Sequence, residues 1–387
     1  MFILDLPPLT PYTDPWIMPF EDRFAALVRG DRHVAYFYEN PDNSTFRYRV
    51  YNMIQVLSEA RPAISAAYFC QREIDRLDEV INAADVLVVC RSRYTDKLND
   101  LIARAQSRNK RVFFDIDDLV FNPDYVHLVL RTLDQDCTHP KAWDHWFAYM
   151  GRLGATLRLC DRAIVTNDFL ACQLKRYADK PVSVIPNFLN REQMLASLPV
   201  FQEKQRRQFA RTDDIHLGYF SGTPTHNQDF DIVSDALLRV LDTDPRIRLL
   251  IVGFLDLKGP LRSHMSRIEF HPLQDFVALQ RLIGSVEINL VPLQHNVFTN
   301  CKSELKYFEA GIVGTVTIAS PVFTLVNAIR DGENGYLAKS FEWDDKLQHC
   351  LDRLDVYAEM AENAFVDSRQ KYSWENQIKL VETTLFG

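Results

Sequence analysis

The segment Asn300-Cys301-Lys302-Ser303-Glu304-Leu305-Lys306-Tyr307-Phe308-Glu309-Ala310-Gly311 brings two ammonium groups and a carboxylate together between two helix-boundary residues. With Asn300 as N-cap and Gly311 as C-terminal stop, the residues between them are predicted to form a short helix. Lys302, Lys306 and Glu309 then fall at i, i+4 and i+7 on one face, while Leu305, Phe308 and Ile312 line another. A cation at the first turn, beside Asn300, Ser303 and free backbone N–H groups, suits a diphosphate. A carboxylate two turns on can accept hydrogen bonds from ribose hydroxyls. The same spacing also fits an ordinary solvated face with an intrahelical ion pair.

The flanking residues favour the first reading. Glu287-Ile288-Asn289-Leu290-Val291-Pro292 before the helix and Thr315-Val316-Thr317-Ile318-Ala319-Ser320 after it are apolar runs of the kind found in central parallel strands. In such sheets ligands gather beyond the carboxyl ends of the strands, where Leu293 to Asn300 and the helix start must lie.

Asp115-Ile116-Asp117-Asp118 ends another apolar run and admits three chemistries. Clustered oxygens can hold Mg²⁺ or Mn²⁺. Asp115 in an Asp-x-Asp pair with Asp117 can act as a phosphatase nucleophile of the haloacid-dehalogenase kind. The carboxylates can also bind sugar hydroxyls, or simply cap the strand end. Arg47 and Arg49 follow a turn containing Asn43 and Ser44; they fit binding of phosphate or an acidic acceptor as well as they fit ordinary surface arginine. The aromatic residues Trp143, Trp146 and Trp343 suit core and interface packing better than a sugar-stacking platform.

The elements that must position these groups follow a βα alternation. In the first half the strands are His33 to Tyr38, Asp85 to Cys90, Arg111 to Ile116, Arg162 to Thr166 and Val182 to Pro186. Helices are read at Arg47 to Ala60, Thr95 to Asn109, Lys141 to Cys160 and Asp168 to Tyr177. Residues 190 to 214, polar and rich in Gln and Arg, read as a linker. A second series follows, with strands Ile215 to Phe220, Ile247 to Val252 and Glu287 to Val291 and an amphipathic helix from Phe230 to Leu241. Two α/β sheets facing each other across a cleft are expected.

The bulk properties agree. At 387 residues two domains are the default, and 25% charged and 47% hydrophobic residues suit a soluble globular enzyme. A net charge of −8 argues against a general nucleic-acid binder. The seven cysteines show no zinc or disulfide spacing, which fits a reducing cytosol. Without a membrane-length apolar run or a signal-peptide pattern, at most peripheral contact with the inner face of a membrane is expected.

In this order the motifs resemble retaining GT-B glycosyltransferases of family 4, particularly bacterial polysaccharide enzymes that include rhamnosyltransferases. The resemblance rests on Phe46 to Asn52, Phe114 to Leu119, Ile185-Pro186-Asn187, Gly218 to His226, Pro292-Leu293 and Asn300 to Gly311. It implies an acceptor-side Rossmann-like domain over 1–200, completed by the C-terminal helix 374–387, and a donor-binding one over 201–373. It also implies transfer of a sugar, with retention, from a nucleotide-diphosphate sugar (dTDP-rhamnose or another NDP-hexose) to a glycan or lipid-linked glycan. No metal or other cofactor is implied, since the nucleotide sugar is the substrate. Lys302, His226 and Asp117 take catalytic roles; Gly222, Thr223, Asn300, Ser303, Lys306 and Glu309 hold the donor; Asp118, Arg47 and Arg49 face the acceptor. Glu309 matches the second of the family's two glutamates, whereas Cys301 occupies the place of the first, with Glu304 nearby. The basic residues that family members place after the first strand of the second domain are missing, leaving Ser221, Gly222, Thr223, Thr225 and His226 to cradle phosphate. Those departures make a noncatalytic nucleotide-sugar-binding subunit the alternative, ahead of the phosphatase.

Overall fold

Apolar runs rich in Val, Ile and Phe build two six-stranded sheets in the computed structural model, which describes residues 1–9, 12–42, 44–60, 64–222 and 226–387. The first sheet contains β1 (Arg32–Tyr38), β2 (Ile64–Cys70), β3 (Val86–Cys90), β4 (Arg111–Ile116), β5 (Arg162–Val165) and β6 (Val182–Val184). Its order is β2-β1-β3-β4-β5-β6, and every pairing is parallel. The second contains β7 (Ile215–Ser221), β8 (Ile247–Gly253), β9 (Ile268–His271), β10 (Ile288–Val291), β11 (Val316–Ala319) and β12 (Tyr336–Leu337). There the order is β12-β11-β10-β7-β8-β9, again all parallel. Helices cover both faces of each sheet, so strands such as β3, β7, β10 and β11 are buried along their whole length.

Each order reverses once, between β1 and β3 in the first sheet and between β7 and β10 in the second. The crevices beyond the carboxyl ends of those strand pairs are where ligands of open α/β sheets bind. The sequence pattern does not predict β2, β9 and β12. The last two are short edge strands, and β2 carries Ser and Ala in place of β-branched residues.

Residues 190–214 are not a bare linker. Asn190 caps a helix, Arg191–Arg206, through a reciprocal bond with Gln193. Val200 on that helix meets Gly284 of helix Phe276–Ser285. The chain crosses between the sheets here and again near Tyr372, and the two crossings are paired: Leu189 N donates to Tyr372 O at 2.7 Å. Beyond the second crossing, Val381 and Leu385 of helix Ile378–Phe386 join the core around Tyr36, Val56 and Val88 of the first sheet. The start of the chain lies elsewhere, with Phe2 in the core of the second sheet. Among the described residues no helix is long and apolar enough to cross a membrane.

The single helix read from Asn300 to Gly311 is broken. Asn296 caps a short helix, Val297–Asn300; a non-helical turn carries Cys301 to Glu304; and a second helix, Leu305–Gly311, follows. Gly311 is not the left-handed stop, which falls at Gly314 with φ 64°. Instead Gly311 permits close packing: a Cβ there would lie 2.8 Å from Ala364 O and would collide with Ser368 Oγ, both on helix Tyr357–Tyr372. Gly311→Ala is therefore expected to cost about 1–3 kcal/mol in equilibrium unfolding, the usual penalty of overpacking. Stability equal to the parent protein would show that the helix pair can separate freely.

Candidate active site between the sheets

At the β7–β10 crevice, β7 ends at Ser221, followed by Gly222, and His226 immediately precedes helix Asn227–Thr243. Thr223, expected to bind donor, lies outside the described residues. Gly222 is exposed, and a Cβ there would meet nothing within 4 Å, so packing does not demand its lack of a side chain.

His226 Nδ1 lies 3.0 Å from Asp229 Oδ2, while Asp229 Oδ1 accepts from the backbone N and side-chain Nε2 of Gln294, at 3.0 and 3.2 Å. Burial, aided by the nearby Lys302 and Lys306 ammonium groups, pushes the His226 ring below its ordinary pKa. At neutral pH the ring is neutral, with its proton on Nδ1 facing Asp229 and Nε2 left as an acceptor. It is thus suited to a hydroxyl more than to a phosphate oxygen. Burial tends to raise the Asp229 carboxyl, but His226, Gln294 and Lys302 outweigh it and hold the group ionised below the usual range.

Lys302 and Lys306 both approach this pair. Lys302 sits in the turn, not on a helix, with its Nζ 4.9 Å from the centre of the Phe298 ring and its carbonyl accepting from Thr324 Oγ1. Lys306, half-buried over Tyr219, is lowered to about 8 by desolvation, with Asp229 and Glu309 pulling the other way and Lys302 adding repulsion. Two cations sharing a desolvated crevice with too little negative charge make a site for an anion. Ser303 adds a buried Oγ with no hydrogen-bond partner among the described residues. Asn300 does not cap a helix start; its Oδ1 accepts from Phe323 N and fixes the chain after β11.

The β1–β3 crevice faces this one. Here Arg91, the first residue after β3, adopts φ 39°, a left-handed conformation that costs energy outside glycine. Its NH1 donates to Asp117 Oδ1 at 2.7 Å, Thr45 Oγ1 at 3.1 Å and Asp118 Oδ2 at 3.3 Å, and its Nε donates to Tyr149 OH. Thr45 in turn donates to Asp117 Oδ2. Burial alone would raise the Asp117 carboxyl; Arg91 and Thr45 reverse that and hold it below the ordinary range. The Cys301 thiol of the opposite domain is raised by burial first and by the charge of nearby Asp118 second.

Several expectations need correction. Arg49 does not face an acceptor: it is fully buried, donating from Nε and NH2 to the two oxygens of Asp115 at 2.8 and 3.0 Å and from NH1 to Ile185 O. Burial would lower the guanidinium, yet Asp115 more than compensates and keeps it charged. The same pairing removes the phosphatase reading, since Asp115 is 1% exposed and offers no free oxygen to a phosphoester. The three carboxylates do not converge, and no cluster of His, Cys, Asp and Glu fit for a metal occurs among the described residues. Arg47 is neither surface arginine nor acceptor ligand; it stacks on Tyr48 and Phe276 and sits 3.5 Å from Glu309 Oε1. Glu309, 4% exposed, also accepts at Oε1 from Tyr48 OH and from Gln193 Nε2. Cys301 is buried in the apolar core of the first domain, and Asn167 Nδ2 donates to its carbonyl at 2.8 Å. Glu304 turns toward Tyr372, with burial raising its carboxyl. Neither Cys301 nor Glu304 therefore presents a free carboxylate at the place where the resemblance expects the first glutamate.

Arg91 and Asp229 went unrecognised in the sequence. Arg91 had a signal, since it immediately follows the apolar run of β3 at a strand's carboxyl end. Asp229 had none beyond its three-residue spacing from His226.

Two parallel sheets facing across such a cleft define the GT-B fold. Residues 215–354 match the family model described as Glycosyl transferases group 1, so the second domain is of that type. No curated protein matches the chain in sequence. Among solved structures, sucrose-phosphate synthase from Thermosynechococcus elongatus superposes with TM-score 0.63 at 15% identity, over 91% of this chain and 98% of that one. HepE from Anabaena, in complex with UDP-glucose, superposes with TM-score 0.59 at 14% identity, over 91% and 98%. A glycosyltransferase from Rickettsia africae gives 0.60 at 10% identity, over 91% and 97%. At these identities the likeness establishes the fold.

The Arg49–Asp115 pair gives a stability test. Arg49→Ala leaves a carboxylate uncompensated in the core and should cost about 3–5 kcal/mol. Urea unfolding measures it; a loss under about 1 kcal/mol, typical of exposed pairs, would return Arg49 to the surface.

Proposed function

We propose that the protein is a glycosyltransferase that moves a sugar from a nucleotide-diphosphate donor to a glycan or lipid-linked glycan acceptor. The reading is carried by one observation: Lys302 and Lys306 converge with the His226–Asp229 pair in the β7–β10 crevice, opposite Asp117 and Asp118. The diphosphate takes the two ammonium groups and Ser303 Oγ, in the crevice where Gly222 follows the end of β7. Glu309 accepts ribose hydroxyls through Oε2 while Gln193 steadies Oε1. The departing diphosphate is stabilised in the transition state by charges already in place, in a cleft that excludes water. The anomeric configuration is retained, with a donor phosphate oxygen assisting the incoming hydroxyl, and no enzyme nucleophile is assigned. Neither metal nor other cofactor is required. The donor is dTDP-rhamnose or another NDP-hexose, UDP-sugars included. The setting is bacterial surface polysaccharide synthesis, in the cytoplasm or at the inner face of the membrane.

A thermal-shift screen of nucleotide sugars identifies the donor, and turnover then tests the cation assignment. Lys302→Ala should lower transfer by about a hundredfold or more. Near-parental turnover would remove Lys302 from the reaction. Failure of the parent protein to cleave any nucleotide sugar that it binds would favour a noncatalytic binding subunit.

Lys306 supplies a pH signature. In the free protein it loses its charge as pH rises through about 8. Binding of a diphosphate that needs the ammonium form must then take up a proton, so affinity for UDP should fall by at most about tenfold per pH unit above that value. Lys306→Arg, charged throughout, should flatten the profile. Calorimetry between neutral and alkaline pH decides; an affinity that ignores pH in the parent protein would place Lys306 outside the donor site.

A further inference from the structure

Two arginines on the outer flank of the first domain carry charge that the protein does not answer. Arg158, near the end of helix Pro140–Leu159, and Arg176, near the end of helix Asp168–Ala178, are both exposed. Neither guanidinium has an ion-pair or hydrogen-bond partner among the described residues. Both border one cavity of about 580 Å³, a volume typical of small-molecule sites. Asp124 also lines it, but that carboxylate is exposed and pairs with neither arginine.

The cavity lies away from the cleft. Helix Asp168–Ala178 starts against the opposite domain, where its cap residue Asn167 donates to Cys301 O, and runs back toward the amino ends of the strands. Arg176 therefore stands about 14 Å along the helix axis from that contact. Arg158 sits just before β5, again on the amino-end side of the sheet. The wall between them is fixed. The Arg158 guanidinium lies 4.4 Å from the centre of the Tyr177 ring, and a Cβ on Gly154 would collide with the Tyr177 hydroxyl, so the phenol fits only against a glycine. Gln173, 6% exposed, accepts at Oε1 from Tyr125 OH at 3.2 Å, while its Nε2 has no hydrogen-bond partner among the described residues. Because Gln173 lines the cavity, a donor on a buried side chain is left there for a ligand. Another cavity of the same size, in the second domain, differs in this respect: Lys339 pairs with Glu342 at 3.2 Å and Lys346 with Asp331 at 2.9 Å.

We propose that the cavity bounded by Arg158, Gln173, Arg176 and Tyr177 is a second anion site, outside the cleft, that takes a small phosphorylated molecule. One guanidinium already satisfies a planar carboxylate through two parallel hydrogen bonds. A second guanidinium and an amide N–H beside it suit the three terminal oxygens of a phosphoryl group. The volume exceeds that of the bare ion and leaves room for the molecule that carries the phosphoryl group, with Tyr125 and Tyr177 as its less polar wall. The inference uses none of the donor-site residues and stands apart from the glycosyltransferase reading.

Calorimetric titration of the full-length protein with glucose 1-phosphate tests this, with inorganic phosphate and citrate titrated in parallel. Glucose 1-phosphate should bind more tightly than either. Arg158→Ala and Arg176→Ala should each weaken it by about tenfold, the effect of removing one charge-assisted hydrogen bond. Gln173→Leu should weaken it by about threefold. Both arginines are exposed, so their variants keep the test sound if Gln173→Leu fails to fold. Absence of binding overturns the proposal, as does binding that survives in both arginine variants and disappears in Lys302→Ala, which would put the ligand in the donor crevice. Citrate bound as tightly as glucose 1-phosphate overturns the phosphoryl assignment, and inorganic phosphate bound as tightly makes this a site for the bare ion only. Failure of the protein to bind any nucleotide sugar would overturn the donor site instead and leave this result unchanged.

Discussion

A carboxylate buried between two domains must find hydrogen-bond donors, and the meeting of the two sheets is organised around one. Glu309 Oε1 takes Tyr48 OH from the first domain and Gln193 Nε2 from the connecting helix, with Arg47 at 3.5 Å. A carboxylate so deep is stable only while those partners stay in place. Because Glu309 lies on helix Leu305–Gly311, the contact aligns that helix, and with it Lys306, against the π-helical turn Arg47–Tyr51. That turn also carries Arg49, which anchors Asp115 at the end of β4 and so sets the direction in which Asp117 and Asp118 leave the strand. Both halves of the site are thereby registered to one carboxylate.

The electrostatics of the halves differ in a way that suits transfer. In the first domain the carboxylates are largely answered within the protein, by Arg49 for Asp115 and by Arg91 for Asp117. In the second, the ammonium groups of Lys302 and Lys306 share Asp229, which already serves His226 and Gln294. Burial depresses the Lys306 ammonium first, and repulsion from Lys302 adds to it against the pull of Asp229 and Glu309. Under the proposed function, an anionic donor relieves it on one side of the cleft and a hydroxyl-rich acceptor meets the other.

The sheets were legible in the sequence because parallel strands covered on both faces are continuous apolar runs; Arg111 to Ile116 coincides with β4. Edge strands β9 and β12 bury less and leave a weaker trace. The site was legible in its residue types but not in its local geometry. Helical spacing placed Lys302 and Glu309 on one helix, whereas the chain turns at Cys301 to Glu304, because the Cys301 side chain and carbonyl are drawn into the first domain. Spacing alone could not report that Arg47 and Arg49 point inward, since arginine is usually found outside and both are held by carboxylates distant in sequence. Gly311 is not the helix stop that the sequence predicts: it serves packing, and the left-handed stop is Gly314.

The central claim is transfer of a sugar from a nucleotide-diphosphate donor held by the second domain. Proton NMR of the reaction of the intact protein with its donor and a saccharide acceptor follows the nucleotide and the anomeric centre together. The account predicts release of a nucleoside diphosphate in step with a new glycosidic linkage whose anomeric configuration matches that of the donor. Release of inorganic phosphate, or a linkage of inverted configuration, would contradict it.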